Sequence, residues 1–430
     1  MGGVRPISRK GKLDKLLIEG GVPLQGDIPI DGAKNAALPA LAAALLAEDQ
    51  AVLLENVPPV VDIRTMCRLL QNMGGSVEAE GTSLHILPKD LTSLEAPYDL
   101  VRTMRASILT LGPLLARYGY AKVSSPGGCA IGERPIGLHL AGLEAMGARI
   151  TLHGGYIEAR ADRLRGTEIY LDTPTVTGTE NLLMAATLAE GRTIIENAAM
   201  EPEIADLATF LRAMGADIEG EGTERIQIKG KTRLVGASHR IIPDRIETAT
   251  YAAAAAISQG DVRILGAEKE MLSAVIQKMT AAGAVVTPEE GALRVSSGGR
   301  LRSVDITTAP YPGFPTDGQA QFMAMMALAQ GTSVIREMVF ENRFMHVAEL
   351  RRMGADIRTE GPSAVVRGVP SLEGAPVMAT DLRASASLVL AGLAARGQTT
   401  ISRIYHLDRG YSRLEEKLSR LGARVRRIRE

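Results

Sequence analysis

Between positions 206 and 215 apolar residues recur at Leu207, Phe210, Leu211 and Met214, the i, i+3, i+4, i+7 spacing that gives a helix one apolar face. Gly215 follows, where a helix can end in the left-handed conformation that glycine adopts cheaply. Beyond it, Asp217-Ile218-Glu219 and Arg225-Ile226-Gln227-Ile228 alternate like half-buried strands around a Gly220-Glu221-Gly222-Thr223 turn. The closing phrase of that helix is written six times: Gln71-Asn72-Met73-Gly74-Gly75, Glu144-Ala145-Met146-Gly147-Ala148, Arg212-Ala213-Met214-Gly215-Ala216, Thr280-Ala281-Ala282-Gly283-Ala284, Arg351-Arg352-Met353-Gly354-Ala355 and Ser419-Arg420-Leu421-Gly422-Ala423. Its glycines lie 73, 68, 68, 71 and 68 residues apart, so one structural unit is used six times. A second phrase precedes each copy, as in Leu188–Ile195, Leu328–Ile335 and Leu393–Ile401, and reads as helix end, glycine, new strand. The predicted unit is strand, helix, strand, helix, strand, strand. Helices such as Leu38–Ala47, Ala252–Ile257 and Ala384–Ala395 are apolar on most faces and are expected inside the domain.

The repeat overrides the estimate of about three domains that 430 residues alone suggest. Six units group more naturally as two threes than as three twos, though periodicity alone leaves both open. His239–Glu247 is the candidate crossing between them, and the strand pair at about Leu16–Asp31 could join either half. Hydrophobic content is 45%, ample for large cores, but aromatics are 3% and Trp is absent, so the cores must be built from Ala, Leu, Ile, Val and Met. With 49 basic and 49 acidic residues, no basic field draws in nucleic acid, and few rings are available to stack on bases. The arginine-rich segment Arg424–Glu430 reads as a solvated strand. The mixed charge of Met1–Leu17 does not match a signal peptide, and apolar runs such as Ile108–Ala116 and Phe322–Ala329 are too short to span a bilayer. Two distant cysteines, Cys67 and Cys129, complete the expectation of a soluble, reduced, cytoplasmic protein.

Chemistry is sought where the repeat is broken. Lys34 and Asn35 stand where a strand hands over to an apolar helix, a place that suits an anion, or simply an exposed lysine beside a capping asparagine. Arg102 and Arg105 precede another apolar helix, and Ser107 can cap it. Ser124–Pro135 is a glycine- and proline-rich loop carrying Cys129 and, five residues on, Arg134. Cys67 reads as a small buried hydrophobe, whereas Cys129 on its loop is a candidate nucleophile or proton donor. Asp317 heads a helix after a proline-rich loop and could be an N-cap or a general base. Arg343, the pair Asp381 and Arg383, and Arg409 sit at similar joints further on. Arginines at corresponding joints in both halves of a neutral chain suggest an anionic substrate gripped by two domains. The six histidines are scattered and no H-E-x-x-H occurs, which argues against zinc.

Seven of these segments, Gly32-Ala-Lys34-Asn-Ala-Ala37, Met104-Arg-Ala-Ser107, Pro126-Gly-Gly-Cys129-Ala-Ile-Gly-x-Arg134-Pro135, Phe314-Pro-Thr-Asp317, Glu341-Asn-Arg-Phe-Met-His346, Thr380-Asp-Leu-Arg-Ala-Ser385 and His406-Leu-Asp-Arg-Gly-Tyr411, resemble the UDP-N-acetylglucosamine enolpyruvyltransferase family, in that family's order and over almost the whole chain. The resemblance implies an α/β fold of two inside-out α/β barrel domains of three repeats each, residues 34–243 in one and 1–33 plus 244–430 in the other. It implies transfer of the enolpyruvyl group of phosphoenolpyruvate to UDP-N-acetylglucosamine, with no metal or organic cofactor, no nucleic acid and no membrane. By position it places Lys34 and Arg134 against phosphoenolpyruvate, and Arg409 at its phosphate or carboxylate. Cys129 becomes the loop cysteine, alkylated by fosfomycin in the family, that protonates the methylene or holds the substrate covalently. Asp317 becomes the base at the sugar hydroxyl, and Asn35, Arg105, Val339, Arg343, Asp381 and Arg383 become substrate-binding. The chain departs from the family at Thr175-Val-Thr-Gly-Thr179, where Ser-Val-Gly-Ala-Thr is common, and at Gly137, where an acidic residue is usual. The competing readings are a 3-phosphoshikimate 1-carboxyvinyltransferase of the same fold, whose Gly-Asn-Ala-Gly-Thr-Ala-x-Arg-Pro motif is absent, and a non-catalytic protein that binds UDP-sugars.

Overall fold

In the computed structural model, which describes residues 14–88, 91–125 and 136–429, all six repeat glycines lie in the left-handed region, with φ from 93° at Gly422 to 105° at Gly74 and Gly215. Each ends its helix the same way. The Gly74 N–H donates to Gln71 O and the Gly75 N–H to Leu70 O, both at 3.0 Å, and the pair of bonds recurs at 147/148, 215/216, 283/284, 354/355 and 422/423. This arrangement satisfies two carbonyls that a helix end would otherwise leave open, and it needs a residue at positive φ, which costs any side chain about 1–2 kcal/mol.

Each repeat contributes one four-stranded sheet, and the described residues form six. In a representative one, Glu95–Ala96 runs parallel to Tyr120–Ser124, which is antiparallel to Tyr156–Arg160, itself antiparallel to the edge strand Arg149–His153. The sixth sheet takes its inner hairpin strand from elsewhere: Lys15–Glu19 inserts between Gln398–Ser402 and Arg424–Ile428, antiparallel to both. Gln25–Pro29 likewise runs parallel to Asp261–Leu265, and Ser238–Arg240 parallel to Val52–Glu55.

The contacts divide the chain into two units that change over at Ile30/Asp31 and Asp244/Arg245. The unit spanning 31–244 has its own core, and three helices lie within it: Lys34–Ala43, Leu111–Tyr118 and Val176–Ala186. The unit formed by the amino-terminal strands and the chain from Arg245 onward has a second core around Arg245–Ile257, Gln319–Met326 and Leu382–Ala394. In both, helices occupy the inside. The inner helices are rich in alanine and pack closely, to the point that a Cβ on Gly112 would meet the Asn181 carbonyl oxygen at 2.4 Å. Amphipathic helices such as Val61–Asn72 cover the remaining faces through Ile63, Met66, Leu69 and Leu70.

The inner helices start earlier than the apolar runs predict, at Lys34 rather than Leu38, Arg245 rather than Ala252, and Leu382 rather than Ala384. Their first turns carry polar residues, which hides the start from an apolar-periodicity reading. The last strand is only partly solvated. Arg427 Nη2 bonds Asp408 Oδ1 at 2.6 Å and its Nε bonds Glu415 Oε1 at 2.7 Å. Among the described residues no helix is long and apolar enough to cross a membrane.

Candidate active site

Of the described residues that break the repeat pattern, Lys34 and Asn35 in one unit and Asp317, Asp381 and Arg383 in the other stand at or just ahead of the amino-terminal ends of inner helices. Unpaired backbone N–H groups and the positive end of the helix dipole lie there, which favours anions.

In the 31–244 unit, Lys34 and Asn35 are the first two residues of the Lys34–Ala43 helix. The cap position is Ala33, and no side chain caps the helix, so the capping role open to Asn35 is not what the structure shows. Lys34 is not an exposed lysine either. Its side chain is 11% exposed, and Nζ bonds Asp62 Oδ2 at 3.1 Å. Asp62 lies on the buried face of Val61–Asn72.

Of the two arginines ahead of Leu111–Tyr118, Arg102 forms an exposed ion pair with Asp99, while Arg105 begins a 3₁₀ turn, Arg105–Thr110. Ser107 caps nothing, and its hydroxyl donates to Met104 O at 2.7 Å. The turn is tied to the Val176–Ala186 helix through Asn181. Its Oδ1 accepts from Gly112 N at 2.7 Å, and its Nδ2 lies 3.1 Å from Ile108 O and 3.2 Å from His139 Nδ1. Burial, reinforced by the charge of Arg105, pushes the His139 imidazole down to about 4, so it is neutral near pH 7. With Nδ1 accepting from Asn181, its Nε2 is left to donate to Thr177 Oγ1 at 3.4 Å. Thr175 caps the same helix by accepting from Gly178 N at 3.3 Å. Gly137, the first residue of Gly137–Ala145, has open space where a Cβ would stand.

In the other unit Asp317 sits in a 3₁₀ turn, Thr316–Gly318, ahead of Gln319–Met326, and its side chain caps nothing. Instead Oδ1 accepts from Arg343 Nη2 at 2.6 Å and Oδ2 from Arg383 Nη2 at 2.8 Å. Burial favours the neutral acid, but the two guanidiniums outweigh it and hold the Asp317 carboxyl well below the usual carboxylate range. Arg343 and Arg383 are themselves buried, at 5% and 6% side-chain exposure, while Asp317 keeps 26%. Arg383 Nη1 also reaches Tyr411 Oη at 3.2 Å, which contacts Thr250 Oγ1 at 2.8 Å, and Gln321 Nε2 joins Thr250 Oγ1 at 3.1 Å. Arg343 Nη1 donates to Thr316 Oγ1 at 3.1 Å.

Asp381 is the true N-cap of this set. Its Oδ1 accepts from Arg383 N at 2.9 Å and Ala384 N at 3.0 Å. His346 is buried beside Arg343 and Asp381, and burial pushes it down to about 4 against the opposing pull of Asp381. Arg409 ends the 3₁₀ turn Ile404–Arg409, which packs on Leu382–Ala394. Val339 is 38% exposed, on a loop after the Thr332–Arg336 strand.

Cys129 and Arg134 lie outside the described residues. Cys67 is only partly buried, packed against the core, and burial pushes its thiol up to about 11. Among the described residues no cluster of His, Cys, Asp or Glu could hold a metal. The residues of these networks to which pattern reading gave no role are Asp62, His139, Asn181, Thr316 and Tyr411. Asp62 did leave a signal, since an aspartate on the apolar stripe of an amphipathic helix calls for a partner.

A sequence profile for EPSP synthase (3-phosphoshikimate 1-carboxyvinyltransferase) matches residues 18–418. The chain is 58% identical to a UDP-N-acetylglucosamine 1-carboxyvinyltransferase of Magnetococcus marinus, covering 97% of this chain and 100% of that protein. It is 60% identical to a protein of the same name from Nitratidesulfovibrio vulgaris strain Hildenborough, covering 96% and 99%, and 59% identical to one from Thermodesulfovibrio yellowstonii, covering 97% and 100%. Among solved structures, the enolpyruvyl transferase NikO from Streptomyces tendae superposes with a TM-score of 0.89 at 28% identity, over 97% of this chain and 100% of that one. An EPSP synthase from Acinetobacter baumannii reaches 0.74 at 20% identity, over 97% and 100%, a likeness of fold alone.

Proposed function

The chain belongs to the EPSP synthase family of enolpyruvyl transferases, within its UDP-N-acetylglucosamine 1-carboxyvinyltransferase branch, and from that premise we propose that it moves the enolpyruvyl group of phosphoenolpyruvate to the 3-hydroxyl of UDP-N-acetylglucosamine, releasing inorganic phosphate. The observation that carries this reading is identity of 58–60% across nearly the full length of proteins bearing that name. The reaction opens the committed route to peptidoglycan and takes place in the cytoplasm.

Phosphoenolpyruvate carries a carboxylate and a phosphate on three carbons, and the acceptor brings a diphosphate. Like charges must therefore be brought together, and fixed cations offset that repulsion. Lys34, Arg105, Arg134, Arg343, Arg383 and Arg409 are the cations assigned to this task. Asn35, Val339 and Asp381 complete the set of binding groups. Cys129 delivers the proton to the methylene carbon or holds the adduct, and Asp317 takes the proton of the sugar hydroxyl. Addition to the vinyl group needs an acid and a base, and elimination of phosphate reverses their roles.

The test is phosphate release from phosphoenolpyruvate, measured with UDP-N-acetylglucosamine and separately with shikimate 3-phosphate. Release with the UDP-sugar alone is expected. Release with shikimate 3-phosphate alone would overturn the reading in favour of the other branch of the family. Binding of the UDP-sugar without release would mean a non-catalytic protein.

A further inference from the structure

Glu337 follows the Thr332–Arg336 strand and is 3% exposed. A carboxylate so deeply buried must find donors, and it finds four. Oε1 accepts from Thr308 Oγ1 at 2.8 Å, Val339 N at 3.0 Å and Phe340 N at 3.2 Å. Oε2 accepts from Thr316 Oγ1 at 2.9 Å. Thr308 Oγ1, in turn, accepts from Met338 N at 2.9 Å. One carboxyl group therefore pins three successive backbone amides of the 338–340 loop, directly or through Thr308. With its other oxygen it orients the hydroxyl of Thr316.

That orientation has a consequence for the Asp317 turn. Because the Thr316 proton is committed to Glu337, the Thr316 oxygen is free to accept, and Arg343 Nη1 donates to it at 3.1 Å. The neighbouring Nη2 of the same guanidinium holds Asp317 Oδ1 at 2.6 Å. The planar fork makes these two contacts one constraint, so fixing Nη1 fixes Nη2.

We propose that Glu337 is a positioning residue for the transfer reaction, setting the Val339 amide with one oxygen and, through Thr316, the Arg343–Asp317 pair with the other. The proposal rests on the functional reading above. It assigns Glu337 no contact with substrate; its effect passes through Val339 on one side and Thr316 on the other.

The two oxygens can be tested apart. Glu337→Gln can keep a carbonyl acceptor for the loop amides while presenting an NH₂ group to Thr316. The Thr316 hydroxyl must then turn its proton away from position 337, where it loses its acceptor, and both lone pairs of its oxygen are called on, by that NH₂ and by Arg343 Nη1, which changes the direction in which Arg343 is held. Thr316→Val removes the hydroxyl with little change of shape, and Thr316→Ser restores it. Steady-state kinetics with phosphoenolpyruvate and UDP-N-acetylglucosamine are measured beside urea unfolding.

Glu337→Gln and Thr316→Val are each expected to lower kcat on the order of tenfold. KM for the UDP-sugar should stay within about threefold, because the loop amides remain held. Thr316→Ser should recover wild-type kcat. The double variant should be no slower than Thr316→Val alone, since both act on one pathway. Unchanged kcat in a folded Thr316→Val, or losses that multiply in the double variant, would overturn the proposal. A crystal structure of Thr316→Val reads the geometry independently of turnover. Arg343 displaced from Asp317 supports the relay, and Arg343 in place refutes it, even if the wild-type protein proves to catalyse some other reaction.

Discussion

Replacing His139 with glutamine should make the 31–244 unit less sensitive to acid. His139 is buried, and its ring is pushed from an ordinary value of 6.5 down to about 4, by burial first and by Arg105 second. The unfolded chain therefore binds a proton between these two values that the folded chain refuses. The sign follows directly: stability is complete above pH 6.5 and is lost as pH falls toward 4, after which the loss stops growing. The full loss is about 3 kcal/mol for an imidazole moved from 6.5 down to about 4. At pH 5 about 2 kcal/mol of it has accrued. Glutamine cannot titrate, but it can still accept from Asn181 or donate to Thr177. The wild-type advantage over His139→Gln at pH 7.5 should thus shrink by about 2 kcal/mol at pH 5. Amide hydrogen exchange in the Val176–Ala186 helix, which carries Asn181, reads this unit even if the other unfolds separately. A difference between the two proteins that stays constant from pH 7.5 to 5 would refute the reasoning.

Lys417→Met should destabilise its unit by about 3 kcal/mol, because Lys417 Nζ bonds Glu247 Oε1 at 2.7 Å where the side chains are only 10% and 4% exposed; urea unfolding followed by circular dichroism measures it. Gly354→Ala should cost about 1–2 kcal/mol in the same assay, since φ there is 95° and no neighbour crowds the added methyl group. Gly137→Asp should instead gain up to about 1 kcal/mol, by placing an anion in the first turn of Gly137–Ala145 where space is open. The base role proposed for Asp317 predicts that Asp317→Asn lowers phosphate release by roughly 10²–10⁴-fold with the protein still folded.

What the sequence disclosed was local and periodic, and what it hid was long-range. The six helix-ending glycines could be read because their positive φ is a property of one residue. The strands at 217–219 and 225–229 could be read because alternation reports a single strand's two faces. The insertion of Lys15–Glu19 between strands near position 400 and position 426 could not, because nothing in five residues states which edges they will pair. The partner of Lys34 is 28 positions away, and Arg383 and Asp317 are 66 apart. Arg383 and Asp317 meet because equivalent inner-helix starts of two repeats pack together, whereas Lys34 and Asp62 open successive α-helices of one repeat; neither pairing leaves a local spacing. The capping roles open to Asn35, Ser107 and Asp317 were locally sound, yet none of the three caps its helix: the Ser107 hydroxyl turns to the Met104 carbonyl three residues back, and Asp317 turns to two distant arginines. At Asp317 two arginines offer more to a carboxylate than the N–H groups of a 3₁₀ turn.

The same pairing bears on how Asp317 can act. A carboxylate held well below its usual range is ionised at every pH where the protein works, so it is always available, but it has little affinity for a proton. Both effects have one cause, the guanidiniums of Arg343 and Arg383. A base in this position gains strength only as those cations turn their charge toward something else. The substrates assigned to this protein carry such charge, and the arginines that restrain Asp317 belong to the set assigned to receive it. An anion drawing on Arg343 or Arg383 would weaken their hold on Asp317 at the moment a proton has to be taken. The two ion pairs share one carboxylate, so the set of Arg343, Arg383 and Asp317 carries one positive charge in excess, which an anion would offset. Lys34 stands in a comparable relation to Asp62 in the other unit, a largely buried cation held by a buried carboxylate, so an anion at the site proposed for Lys34 would exchange one partner for another.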